Sequence, residues 1–124
     1  MVARSVSKPL FLIDEDTPES LSGALRRRDP SLDVLCVGDP GAPPKGTKDP
    51  DLLLAAEALG RLLITRDKKT MPRHLAPHDA AGHHTWGVLL LRRGFRLARD
   101  LDWILAVGGA SEADEWIDVT LYIP

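Results

Sequence analysis

One cysteine, Cys36, in 124 residues leaves no internal disulfide and no four-cysteine zinc site. Aromatic residues are only 5% of the chain, too few for a base-stacking platform. Neither sign of charge dominates. Lys and Arg number 16 against 18 Asp and Glu, a formal net charge of −2. That balance excludes a globally basic nucleic-acid binder and confines any phosphate-binding surface to a local patch. No apolar run approaches the roughly 18 residues of a membrane span. The N-terminal apolar run stops at Ile13 and meets Asp14, too early for a signal peptide, so a cytoplasmic home and no membrane partner are expected. Repeats, low-complexity tracts and interdomain linkers are also missing. The sequence reads as a single domain over residues 1–124, and its 44% apolar content is enough for one packed core.

Short apolar runs alternate with helical patterns. Leu10 to Ile13 reads as a buried strand. A helix follows from Pro18 to about Arg28, with Thr17 as N-cap, Pro18 at the first helical position and Leu21, Ala24 and Leu25 as its stripe. Asp33 to Val37 is a second strand, and Gly38 to Lys48 is an irregular loop holding three glycines and three prolines. A helix from Asp49 to Leu59 ends at Gly60, and Arg61 to Thr65 is a third strand. Lys68 to Thr85 contains all four histidines and suggests at most one short helix. Trp86 to Leu91 is a fourth strand. Phe95 to Val107 is helical, with Gly108 and Gly109 as its stop, and Ser111 is placed to cap a last short turn. Val119 to Ile123 alternates as an edge strand. Strands regularly alternating with helices predict a three-layer α/β/α fold on a mostly parallel five-stranded sheet.

In such a sheet Asp14 follows the first strand and Asp67 nearly follows the third, so both fall at one edge. Asp49, at the start of the second helix, reaches the same edge. Open α/β sheets place ligands outside the carboxyl ends of their strands. Clustered carboxylates repel, and a divalent cation relieves the cost. Oxygen ligands of this kind suit Mg²⁺ or Mn²⁺, and the chemistry implied is metal-assisted phosphodiester hydrolysis. Each carboxylate also has a plain structural reading: Asp49 before Pro50 suits a helix N-cap, and Asp16 suits a cap or turn.

Four blocks now carry a family resemblance. They are Phe11-Leu12-Ile13-Asp14-Glu15-Asp16, Lys48-Asp49-Pro50-Asp51-Leu52-Leu53, Gly60-Arg61-Leu62-Leu63-Ile64-Thr65-Arg66-Asp67-Lys68 and Gly87-Val88-Leu89-Leu90-Leu91-Arg92. In order and spacing they resemble the short stand-alone PIN-like domains of the PIN nuclease superfamily. The resemblance implies a five-stranded α/β fold and a metal-dependent ribonuclease site. Asp14, Asp49 and Asp67 would be its catalytic and metal-site acids, and Asp16, where the family usually has Asn, would be a further carboxylate. Many relatives look like toxins of toxin–antitoxin pairs, which implies RNA as substrate, an antitoxin protein as partner and pairing with a second copy of the chain. Lys69 and Thr70 stand where the family often has a second Asp and an aromatic, and the histidine-containing stretch departs from the family pattern.

Other residues have competing readings. Arg92 and Arg93, together with Arg66, Lys68 and Lys69, can form the local phosphate-binding patch or a plain exposed basic end; Arg92 and Lys68 are the candidate substrate-binding residues. Glu57 either lines the carboxylate groove or sits on a solvated face. Asp39 reads as a loop turn, and Arg26 to Arg28 suit the negative end of their helix. His74 and His78 have the i, i+4 spacing of a zinc pair, but Pro77 interrupts the turn and no Glu follows His74. Cys36 reads as an inert buried thiol, and the three tryptophans as core or interface residues. Two other functions compete: a catalytically inactive PIN-like binding module, and a receiver-type phosphoacceptor with Asp67 as acceptor. The second expects a lysine on the last strand, and Val119-Thr120-Leu121-Tyr122 offers none. A haloacid-dehalogenase-type site is excluded because Thr17 stands one position early.

Overall fold

The structure, a computed structural model, describes residues 7–66, 69–92 and 96–123. Five strands, β1 (Leu10–Ile13), β2 (Val34–Cys36), β3 (Arg61–Thr65), β4 (Val88–Leu90) and β5 (Thr120–Tyr122), form one sheet in the order β2-β1-β3-β4-β5. All four pairings are parallel. The helices are α1 (Glu19–Arg28), α2 (Asp49–Leu59), α3 (Met71–Ala80) and α4 (Leu97–Ala110), with a 3-10 turn at Ala113–Trp116.

Strand alternation divides the core in two. Phe11, Ile13, Leu62, Ile64 and Leu89 pack beneath α1 and α4. Leu12, Leu63, Val88 and Leu90 pack beneath α2 and α3. Both faces of the central strands are therefore covered, which is why those strands read as continuous apolar runs rather than alternating ones. Leu21 and Leu25 of α1 are wholly buried, each contributing about 1.5–3 kcal/mol.

The paths of the connections place the ligand edge. From β1 the chain turns to the α1 face; from β3 it turns to the α3 face. Parallel sheets open a crevice where neighbouring connections part in this way, here between the carboxyl ends of β1 and β3. The step from β4 to β5 runs in the same direction as that from β3 to β4, yet α4 lies on the α1 face. That last crossover therefore has the opposite hand to the other three, an uncommon arrangement.

Several boundaries differ from the sequence reading for local reasons. The first helix starts at Glu19, with Pro18 in the cap position and no side-chain cap; the Thr17 hydroxyl is buried without a hydrogen-bond partner. α2 spans its expected residues, but Lys48 rather than Asp49 is the cap. Gly60 closes α2 in the left-handed region at φ 68°, which a side chain would resist. Gly108 and Gly109 do not stop α4, which continues to Ala110. A Cβ on Gly108 would lie 2.6 Å from Leu32 Cδ2 and 3.1 Å from Phe11 Cε2, so this glycine permits close packing of helix on sheet. Ser111 ends α4 and accepts a hydrogen bond from Trp116 Nε1, while Glu112 caps the 3-10 turn.

The histidine-containing stretch forms a full helix despite Pro77. Pro72 sits in its first turn, where a missing N–H costs nothing. Met71 and His78 are its buried residues, and Leu75 packs against the α2 core, a stripe that anchors α3 on α2. No helix among the described residues is long and apolar enough to cross a membrane.

Candidate carboxylate site

Asp14 leaves the end of β1, and its backbone N–H donates to Ile64 O across the sheet at 2.9 Å. Thr17 N–H donates back to Asp14 O at 3.1 Å, so the chain turns sharply over the crevice. The Asp14 side chain is buried and accepts a 2.8 Å hydrogen bond from Thr65 Oγ1 at the end of β3. Burial is the largest influence on this carboxyl and pushes its pKa above the usual carboxylate value. The Thr65 hydroxyl and the Glu15 backbone N–H pull the other way, while repulsion from Asp16 and Asp49 adds to the rise.

Asp16 is exposed in the turn after β1. Asp49 is half-buried in the first turn of α2, where its Oδ2 accepts from Thr70 Oγ1 at 2.7 Å. Threonines thus orient two of the carboxylates, Thr65 holding Asp14 and Thr70 holding Asp49. Three acids from the sequence reading are close enough for Asp14 to feel both others. Asp67 and Lys68 lie outside the described residues. Arg92 is exposed just beyond β4. Among the described residues, no three His, Cys, Asp or Glu groups are arranged to hold a metal ion.

A groove of about 450 Å³ opens beside Asp14, between α1 and the glycine-rich loop. Its floor includes Ile13, Val37 and Cys36, and its rim carries Arg26, Asp39 and Lys45. Cys36 is half-buried in that floor, so the expectation of a fully buried thiol does not hold. Asp39 has the structural role expected, accepting from Cys36 N–H at 2.9 Å and pairing with Arg26 at 3.5 Å. Arg26 also donates to Val34 O at 2.9 Å. The pair closes the outer edge of β2 with side chains, a device that blocks pairing with another strand. Glu15 accepts from Gly46 N–H at 2.7 Å and ties the loop to the β1–α1 turn.

Glu57 does not join this edge. It belongs to a cluster that ties α2 to the segment before β4. His83 Nδ1 lies 2.8 Å from Glu57 Oε1, and His84 N–H donates to Glu57 Oε2 at 2.8 Å. His84 Nδ1 lies 2.7 Å from Asp118 Oδ2, and the rings of His78 and His83 stack at 5.0 Å. Asp118 holds the His84 pKa above its usual value, and hydrogen bonds from the neighbouring backbone and histidines keep Glu57 and Asp118 below theirs. His78 bonds the His84 carbonyl at 2.9 Å. The zinc pair of His74 and His78 weighed from spacing is therefore replaced by a His78, His83, His84 cluster.

Asp100 was missed by the sequence reading. It is completely buried in the first turn of α4, with both carboxylate oxygens lacking a hydrogen-bond partner and Arg99 Nε 3.7 Å away. The signal was present: Asp100 falls on the stripe of Leu97, Leu101 and Ile104, where a charge is out of place.

No family model, curated protein or solved structure shows significant similarity to the chain.

Proposed function

We propose that the chain is a divalent-metal-dependent ribonuclease of PIN-like type, with RNA as substrate and a toxin–antitoxin pair as its setting. The observation that carries the reading is Asp14, a buried carboxylate at the crevice between β1 and β3, crowded by Asp16 and Asp49 and held by Thr65. An acid kept in that environment is costly as a bare anion and favourable beside a cation. The ion would be Mg²⁺ or Mn²⁺, which prefer carboxylate and water oxygens. Asp14 and Asp49 would hold the ion, with Asp67, two residues beyond β3 in sequence, as a third acid and Asp16 beside them. Thr65 and Thr70 would fix carboxylate orientation, as hydrogen-bonded outer residues do in metal sites. A bound ion there supplies Lewis-acid activation of water and neutralises charge at the phosphodiester. Asp49 would position the attacking water, and Arg92 with Lys68 would hold phosphate oxygens.

The strand order β2-β1-β3-β4-β5 is also that of doubly wound folds of the receiver kind. Two features weigh against that alternative. β5 and its flanks offer no lysine, and α4 lies on the α1 face rather than with α2 and α3. Incubation with a small phosphodonor separates the two: stable phosphorylation of Asp67 would overturn the nuclease reading. The direct test is cleavage of a mixed RNA pool with Mn²⁺ or Mg²⁺, set against Asp14→Asn and Asp67→Asn. Metal-dependent cleavage lost in both variants supports the proposal. Metal binding without cleavage of any RNA points to the inactive binding module.

A further inference from the structure

The groove beside Asp14 shares that carboxylate as part of its lining and adds apolar side chains to it. Ile13, Val37 and half-buried Cys36 form that floor. One wall is the start of α1 from Pro18 to Gly23. The opposite wall is the glycine-rich loop, where the Lys45 stem lies over Gly38, so close that a Cβ there would meet Lys45 Cγ at 3.0 Å. Four carboxylates border the groove with two cations. Asp39 is committed to Arg26 and Cys36 N–H, and Glu15 to Gly46 N–H. The Lys45 ammonium has no carboxylate partner among the described residues. In the same wall the buried Thr17 hydroxyl finds no hydrogen-bond partner.

A ligand suited to this site is small, has both apolar and polar surface, and carries an anionic group for Lys45. We infer that the groove is the subsite for the nucleotide next to the scissile phosphate of a single-stranded RNA. Its base rests on the Val37 and Cys36 floor, and its phosphate meets Lys45. The inference rests on the ribonuclease reading of the adjoining carboxylates. The volume of about 450 Å³ lies in the lower part of the range for small-ligand pockets, enough for one nucleotide rather than a longer stretch. No aromatic residue lines the groove. The base is therefore held by apolar contact and edge hydrogen bonds rather than by stacking. A base can enter only when it is out of a duplex, so the site selects single strands.

Cys36 is the only thiol in the chain and reports occupancy directly. The rate of its alkylation by N-ethylmaleimide is measured in EDTA, with and without a short mixed-sequence oligoribonucleotide. At ten times Kd, single-site occupancy slows the reaction about tenfold. Lys45→Ala, at an exposed position, should abolish that protection, and protein alkylated beforehand should lose RNA cleavage. RNA cleavage that depends on Asp14, with no protection of Cys36, overturns the subsite and leaves the ribonuclease reading intact. Protection without cleavage in Mn²⁺ overturns the ribonuclease reading and, with it, the place beside a scissile phosphate, leaving an RNA-binding groove. Equal protection by a blunt RNA duplex overturns the subsite, since it would show charge attraction alone.

Discussion

Thr65→Val tests whether Asp14 sits in the folded protein as a hydrogen-bonded buried anion. The substitution nearly conserves shape and removes the 2.8 Å bond from Thr65 Oγ1 to Asp14 Oδ2, inside a site where Asp14 is 8% exposed and Thr65 is 0% exposed. A hydrogen bond to a charged group contributes about 1.5–3 kcal/mol net, so that is the expected loss of stability. In an Asp14→Asn background the bond joins neutral groups and is worth about 0.5–1.5 kcal/mol. The coupling between the two sites should therefore be about 1 kcal/mol. Thr65 has a further interaction, and a double-mutant cycle cancels it where it is independent of Asp14. The assay is urea unfolding of the four proteins in EDTA at neutral pH, with unchanged m-values as the check on two-state behaviour. Asp14→Asn alone should be more stable than the parent there. The folded carboxyl has its pKa raised above 3.8, so the native state binds more protons between those values. Stability then falls as pH rises through that window, and the Asn variant lacks that slope. Coupling indistinguishable from zero, or an Asp14→Asn protein less stable than the parent at neutral pH, would refute this description of the site.

Three further outcomes are expected. Gly108→Ala places a Cβ against Leu32 and Phe11 and should cost about 1–3 kcal/mol in overpacking, offset by about 1 kcal/mol of helix propensity. Gly109→Ala meets nothing within 4 Å and should stabilise by about 0.5–1 kcal/mol; thermal melts giving both variants the same shift would contradict the packing of α4. The histidine cluster makes stability pH-dependent. The His84 contribution is complete below 6.5 and is lost as pH rises through its raised folded value, while those of Glu57 and Asp118 are lost as pH falls through values held below 4.5 and 3.8. His84→Gln should therefore lower the melting temperature most in mildly acidic buffer and converge with the parent in alkaline buffer; parallel profiles would count against the cluster.

Much of the fold was legible because the central strands and α2 advertise themselves locally. Leu62-Leu63-Ile64 is a buried run flanked by Gly60, and α2 has Pro50 at its start and a glycine at its end. The reading failed where tertiary contacts overrule local signals. Gly108 looks like a stop, but Leu32 and Phe11 need its missing side chain. Pro77 looks like a break, but it falls late in a helix already anchored by Met71 and Leu75. The placement of Asp14 and Asp49 at one edge of the sheet was legible from strand and helix ends. Their threonine partners were not, because Thr65 and Thr70 meet them only through the sheet and the α2–α3 contact. The histidine cluster was hidden for the same reason: its acids, Glu57 and Asp118, come from distant parts of the chain.

The central claim is that the carboxylates around Asp14 form a metal-dependent phosphodiesterase site. Purified protein titrated with Mn²⁺, with RNA cleavage and melting temperature read on the same samples, tests it most directly. The account predicts metal-dependent cleavage and a metal-dependent rise in melting temperature, both lost in Asp14→Asn although that variant remains folded. Cleavage and metal stabilisation that persist unchanged in Asp14→Asn would contradict it.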